Sequence, residues 1–224
     1  MSSAVVFLLS FLTFLGVAAS NINPPIPVPY VEPGVLYELG GTFDESSVTL
    51  ETVFNPFCPD SEWAWYVLKD VSANYGTDLA LVIHIFPMPY LINSYMASQG
   101  FYLIEEHVSQ AASLEYLEAT WRQASNFSNS NTADMTTFQI YDALADLAVE
   151  ATGIDKDFFI PNLPSYSGDT VRAWKYAVTR KSAGTPWFYV NGVDLTVNSN
   201  DVRLTYDDWI EFLDPFFDDT KNRS

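Results

Sequence analysis

The sequence predicts an α/β domain whose parallel or mixed sheet is covered by helices. Two apolar stretches and the segment joining them carry that prediction. Val48–Phe54 is rich in β-branched and apolar residues, and residues 79–86 (LALVIHIF) are almost continuously apolar between Asp78 and Pro87. Continuous rather than alternating apolarity is the pattern of a strand buried on both faces. Between them, residues 59 to about 75 carry the marks of a helix. Pro59 sits at its first turn, Asp60 and Glu62 lie beside the positive end of its dipole, Trp63, Val67 and Val71 recur at helical spacing, and Gly76 stops it. The three pieces form a β-α-β unit, with the only cysteine, Cys58, at the strand-to-helix junction.

Before this unit, residues 1–20 read as a cleavable secretory signal. An uncharged apolar run over 4–17 is followed by the small residues Ala18, Ala19 and Ser20. The run is shorter than the roughly 20 residues that span a bilayer. Residues 21–34 (NINPPIPVPYVEPG) read as an extended proline-rich arm, since proline fixes φ and removes donors. After the unit, residues 94–123, 134–152 and 168–182 give helical patterns, consistent with an all-helical insertion. Residues 187–190 then read as a strand, Asn191-Gly192 as a turn, 193–196 as a short strand and about 206–217 as an amphipathic helix. The chain beyond residue 20 is of single-domain size.

Charge narrows the partners. With 28 acidic against 10 basic residues the formal net charge is −18, which argues against nucleic acid and anionic membrane surfaces. No later apolar run is long enough to span a membrane, so none is expected as a partner after signal cleavage. The two histidines, His84 and His107, do not make a zinc site without acidic help. The acidic tail around Asp207, Asp208, Glu211 and Asp214 lacks the spacing of an EF-hand loop and reads as the solvated face of the last helix. Two sequons, at Asn126 and Asn222, agree with the secretory route, and Asn126 lies in a polar stretch that reads as an exposed loop.

A single cysteine cannot form an internal disulfide. In an oxidising compartment it is buried and inert, paired with another molecule, or reactive. Cys58 directly precedes a helix, where unsatisfied N–H groups and the dipole favour a thiolate, so it is the candidate nucleophile. The nearby carboxylate of Asp60 opposes that effect. His84, in the middle of the second strand, reads by default as a hydrogen-bonded core histidine. In a functional reading it stands behind Cys58, because the two strands of the unit are neighbours. Glu51 reads as an exposed or partly paired strand residue, on the face opposite Thr52. Trp63, Trp65 and Tyr66 are candidates to line a peptide groove.

Taken in order, the strand, Phe57-Cys58-Pro59-Asp60-Ser61, the helix, the second strand, the long helical stretch and the segment from Gly184 through Thr185-Pro186-Trp187 to Gly192 resemble the DsbA-type branch of the thioredoxin superfamily. More narrowly, the chain is similar to eukaryotic secretory-pathway members of that branch that carry Cys-Pro-Asp-Ser and then Pro-x-Pro-Tyr, here Pro87-Met88-Pro89-Tyr90. The resemblance covers most of residues 35–217. It implies a thioredoxin-like fold over about 35–220 with a helical insertion over about 92–182. Cys58 would match the first active-site cysteine, Ser61 the second, and Thr185-Pro186 the cis-proline loop. Pro59, Asp60, Thr185 and Trp187 would flank the substrate. No bound cofactor is implied. The implied partners are peptide or protein thiols, with glutathione as a co-substrate, in the endoplasmic reticulum lumen or outside the cell.

Ser61 departs from the dithiol pattern. A hydroxyl forms no disulfide, so the resolving step of a Cys-x-x-Cys enzyme is closed to this chain. Monothiol exchange at Cys58 remains, with Ser61 free to donate a hydrogen bond to the thiolate. The alternative is a non-catalytic peptide-binding or scaffold module using the same groove. The sequence leaves the oligomeric state open.

Overall fold

The structure, a computed structural model, describes residues 34–37, 40–42, 46, 48–195 and 203–221. The expected signal, the arm up to residue 33, the Asn222 sequon and residue 196 of the predicted last strand lie outside the described residues. The elements run β1 (Val35–Leu36), β2 (Val48–Phe54), α1 (Pro59–Tyr75), β3 (Leu79–Ile85), α2 (Ser94–His107), α3 (Gln110–Arg122), α4 (Thr137–Thr152), α5 (Lys156–Asn162), α6 (Ser167–Thr179), β4 (Trp187–Val190), β5 (Val193–Asp194) and α7 (Tyr206–Lys221).

The sheet is mixed, in the order β1-β3-β2-β4-β5. β2 and β3 run parallel, with Val48 opposite Leu79 and Phe54 opposite Ile85, while β1–β3, β2–β4 and β4–β5 are antiparallel. Every residue of β2 and β3 is buried, as the nearly continuous apolarity of β3 predicts; in β2 the burial extends to Thr49, Glu51 and Thr52. Leu50 and Phe54 share a core with Trp65 and Leu68 of α1, and Trp209 of α7 meets Phe188 of β4 edge to face at 5.0 Å. Alternation sends Val53 to the other face, where it packs with Phe86, Met88, Tyr189 and Ala177 of α6. Removing the buried Trp65 ring would cost about 3–5 kcal/mol.

Three expectations change. The pattern over 94–123 is two helices, because Ser109 turns extended and its hydroxyl caps α3 by accepting the N–H of Ala112 at 3.0 Å. α5, which has Pro161 within it, was not predicted; it is started by the Asp155 side chain, which accepts the N–H of Phe158. β1 was also not predicted. It begins after Gly34, where a Cβ would lie 2.5 Å from Val82 Cγ1 and 2.6 Å from His84 Cε1, so the chain crosses the His84 ring at a distance open only to glycine. Among the described residues no helix is long and apolar enough to cross a membrane, and no His/Cys/Asp/Glu cluster could hold a metal.

Candidate active site at the start of helix α1

β2 ends at Phe54, and the next four residues turn into α1 under the control of Asn55. Its side-chain oxygen accepts the N–H of Phe57 at 2.8 Å, closing an Asx turn, and its amide donates to the Phe86 carbonyl at 2.9 Å. Its backbone carbonyl accepts the N–H of Cys58 at 3.1 Å and the indole N–H of Trp121 at 2.8 Å. Asn55 is fully buried and anchors the loop to β3 and α3 together. Sequence reasoning missed this residue, although Asn-Pro is a turn-initiating pair.

Cys58 is itself the N-cap of α1, with extended backbone angles and no side-chain hydrogen bond to the first turn. Pro59 occupies the first helical position and has no N–H to offer. The orphan N–H groups of the first turn therefore have no side-chain cap. Cys58 is partly exposed, and its S–H donates to the Thr185 carbonyl at 3.3 Å. The Thr185–Pro186 peptide bond is cis, and Pro186 is buried. Trp187 opens β4, and its indole donates to Asp194 at 2.9 Å. The structure thus brings together Cys58, Pro59, Thr185 and Pro186, segments that lie more than a hundred positions apart in the chain.

The other predicted site residues fall in different places. The Ser61 hydroxyl is buried and accepts the Asn55 N–H at 3.2 Å, so it supports the loop in place of the expected bond to sulfur. Asp60 turns to Arg203, whose Nε lies 2.8 Å from its carboxylate, and that pairing offsets the charge expected to oppose a thiolate. Trp63 and Tyr66 are exposed, whereas Trp65 is core. Asn126 is exposed, on a 3-10 turn over Ala124–Phe127. Tyr90, in the loop after β3, is exposed; partial burial and then the charge of Cys58 push its phenol up.

His84 is the hydrogen-bonded core histidine of the default reading. Its Nε2 lies 3.0 Å from Glu51, and its ring stacks on Tyr176 at 4.5 Å. Glu51, expected to be exposed or only partly paired, is fully buried and also accepts from Tyr176 and Arg180. Burial opposes its ionisation, but hydrogen bonds from His84, Arg180 and Tyr176 outweigh it and hold the carboxyl at about 2. Burial likewise drives His84 below its ordinary 6.5 and keeps it neutral. The burial statistics behind the expectation hold for unpaired carboxylates, and this one has partners 125 and 129 residues away.

The architecture defines the class: a thioredoxin-like fold of the DsbA type, with a helical insertion between β3 and β4. The chain is similar to a candidate protein-disulfide isomerase from Pseudomonas syringae, at TM-score 0.66 and 18% identity over 75% of this chain and 94% of that one. It is also similar to BdbD from Bacillus subtilis, at TM-score 0.61 and 15% identity over 79% and 90% of the two chains. Alpha-DsbA1 from Wolbachia pipientis matches at TM-score 0.59 and 14% identity over 86% and 94%. No protein-family model and no curated protein matches the sequence.

Proposed function

We propose that the protein is a monothiol thiol-disulfide exchange protein of the secretory pathway. The observation that carries this reading is a partly exposed Cys58 sulfur at an uncapped helix N-terminus, 3.3 Å from the Thr185 carbonyl. That carbonyl receives the S–H in the resting thiol, and the first-turn N–H groups receive the charge once the proton leaves. The thiolate attacks one sulfur of a peptide disulfide. A Cys58–substrate disulfide forms, the old S–S bond breaks, and the departing thiolate takes a proton from solvent. An external thiolate such as glutathione then attacks the substrate sulfur, becomes disulfide-linked to the substrate and returns Cys58 as thiolate. Net redox state is unchanged, so no second cysteine is required. The similar solved structures named as isomerase and DsbA support exchange chemistry as the use of this fold.

Native protein should be alkylated at Cys58 by iodoacetamide faster than glutathione is at neutral pH, and should gain one glutathione when incubated with oxidised glutathione. Intact-mass spectrometry reads both, and Cys58→Ser should abolish both. A thiol that reacts only after denaturation would overturn the reading. One observation favours a non-catalytic peptide-binding module instead: the thiol rests on the Thr185 carbonyl, and the buried Ser61 hydroxyl accepts the Asn55 N–H. In that case Cys58→Ala leaves peptide capture intact.

A further inference from the structure

After β3 lies an apolar groove of about 330 Å³, walled by residues 87–89, Ile92 and Tyr95 on one side and by Val171 and Trp174 of α6 on the other. Its first wall residue, Pro87, directly follows Phe86, whose carbonyl Asn55 ties to the Cys58 loop. Its size suits one large side chain with its backbone. Ile92 is 64% exposed and Trp174 40%, and Val178, one turn beyond Trp174, is exposed as well.

Charge distinguishes this face from the rest of the molecule. Although the chain carries 28 acidic residues, none falls in 87–104 or 170–193, the stretches that form or flank both walls. In contrast, Arg172, Lys175, Arg180 and Lys181 place four of the 10 basic residues within that second stretch. Arg180 is engaged by Glu51, and Arg172 pairs with Asp169 at 3.2 Å. Lys175 and Lys181 are exposed and have no described ion-pair partner. A chain of formal net charge −18 thus offers an apolar slot whose wall segments carry no acidic residue and two exposed lysines.

We propose that this groove docks an extended segment of the substrate polypeptide in which a large apolar side chain is flanked by Asp or Glu, and that it presents a neighbouring disulfide to Cys58. Apolar burial supplies the affinity, and the lysine edge sets the preference and orientation, because the remaining surface repels acidic chains. The covalent half rests on the exchange reading; the docking half does not.

Two measurements separate them. In the first, cysteine-free fluorescein peptides of about ten residues, with a Leu-Trp centre flanked either by Asp and Glu or by Lys, are titrated with the intact protein and followed by anisotropy. The acidic peptide should bind at least about fivefold tighter, with the margin shrinking as salt rises. Trp174→Ala should weaken it about fivefold or more, and Lys175→Glu should erase the preference for acidic flanks. Equal binding of both peptides, or no change in either variant, overturns the docking. If sedimentation instead shows a wild-type dimer that Trp174→Ala converts to monomer, the groove belongs to a second copy and the proposal is also overturned. In the second, the same peptides carry one cysteine as a mixed disulfide with thionitrobenzoate, and release of that chromophore is timed. The acidic peptide should react faster, whereas a cysteamine–thionitrobenzoate disulfide should react alike in wild type and both groove variants. Failure of that small disulfide to react removes the exchange reading and leaves the anisotropy result to judge the groove.

Discussion

Glu51 and Cys58 stand seven residues apart on one segment, yet they are held in opposite ways. Glu51 sits in mid-strand, out of water, with an imidazole, a phenol and a guanidinium on one carboxylate oxygen. Cys58 sits just past the strand end, partly exposed, with one weak hydrogen bond and a helix start that no side chain caps. The first arrangement fixes a charge by surrounding it with partners; the second leaves a sulfur able to change them. Cohesion and reactivity are thus assigned to different points of the same strand-loop unit.

The sharpest way to break this comparison is Glu51→Ala. It leaves His84 and Arg180 facing a buried gap and should cost about 3–5 kcal/mol of stability in urea unfolding, while the alkylation rate of Cys58 in the protein that remains folded stays near wild type. A large loss of reactivity would show that the two points are coupled. Asn55→Ala should blur the distinction, since Asn55 alone serves both the sheet and the loop. Losing its two side-chain bonds to Phe57 and Phe86 should cost about 2–3 kcal/mol and also change the alkylation rate. An altered rate without lost stability would assign Asn55 to the thiol alone.

The smallest effect is a pH slope. His84 has a folded-state pKa below its ordinary 6.5, so below that pH the unfolded chain takes a proton that the folded chain refuses. Stability is therefore complete above about 6.5 and falls as the pH drops below it. Glu51 acts in the same direction in a lower window, complete above 4.5 and lost towards about 2. Replacing His84 with Gln should flatten the slope between pH 6.5 and 5 by up to about 1.4 kcal/mol per pH unit. An unchanged slope would mean that the imidazole is protonated in the folded protein.

What was legible in the sequence follows from how local each signal is. β2, α1 and β3 could be read because apolar runs, a helix-starting proline and a stopping glycine all act within a few residues. Cys58 could be placed at a helix start for the same reason, and Thr185-Pro186 could be brought to it only through the family resemblance. Glu51 could not be read correctly, because the side chains that make its burial tolerable lie on α6 and its C-terminal end. The break at Ser109 was hidden by apolar spacing that continues across it, and Ser61 was read for what its hydroxyl offers sulfur when the nearest unsatisfied donor was the backbone of Asn55.

Gly34 adds a last consequence. With no room for a methyl between the backbone and the side chains of Val82 and His84, the entry to the two-residue edge strand is fixed by those two neighbours. The edge of the sheet and the buried carboxylate of its central strand therefore meet the same imidazole, one at Cε1 and the other at Nε2.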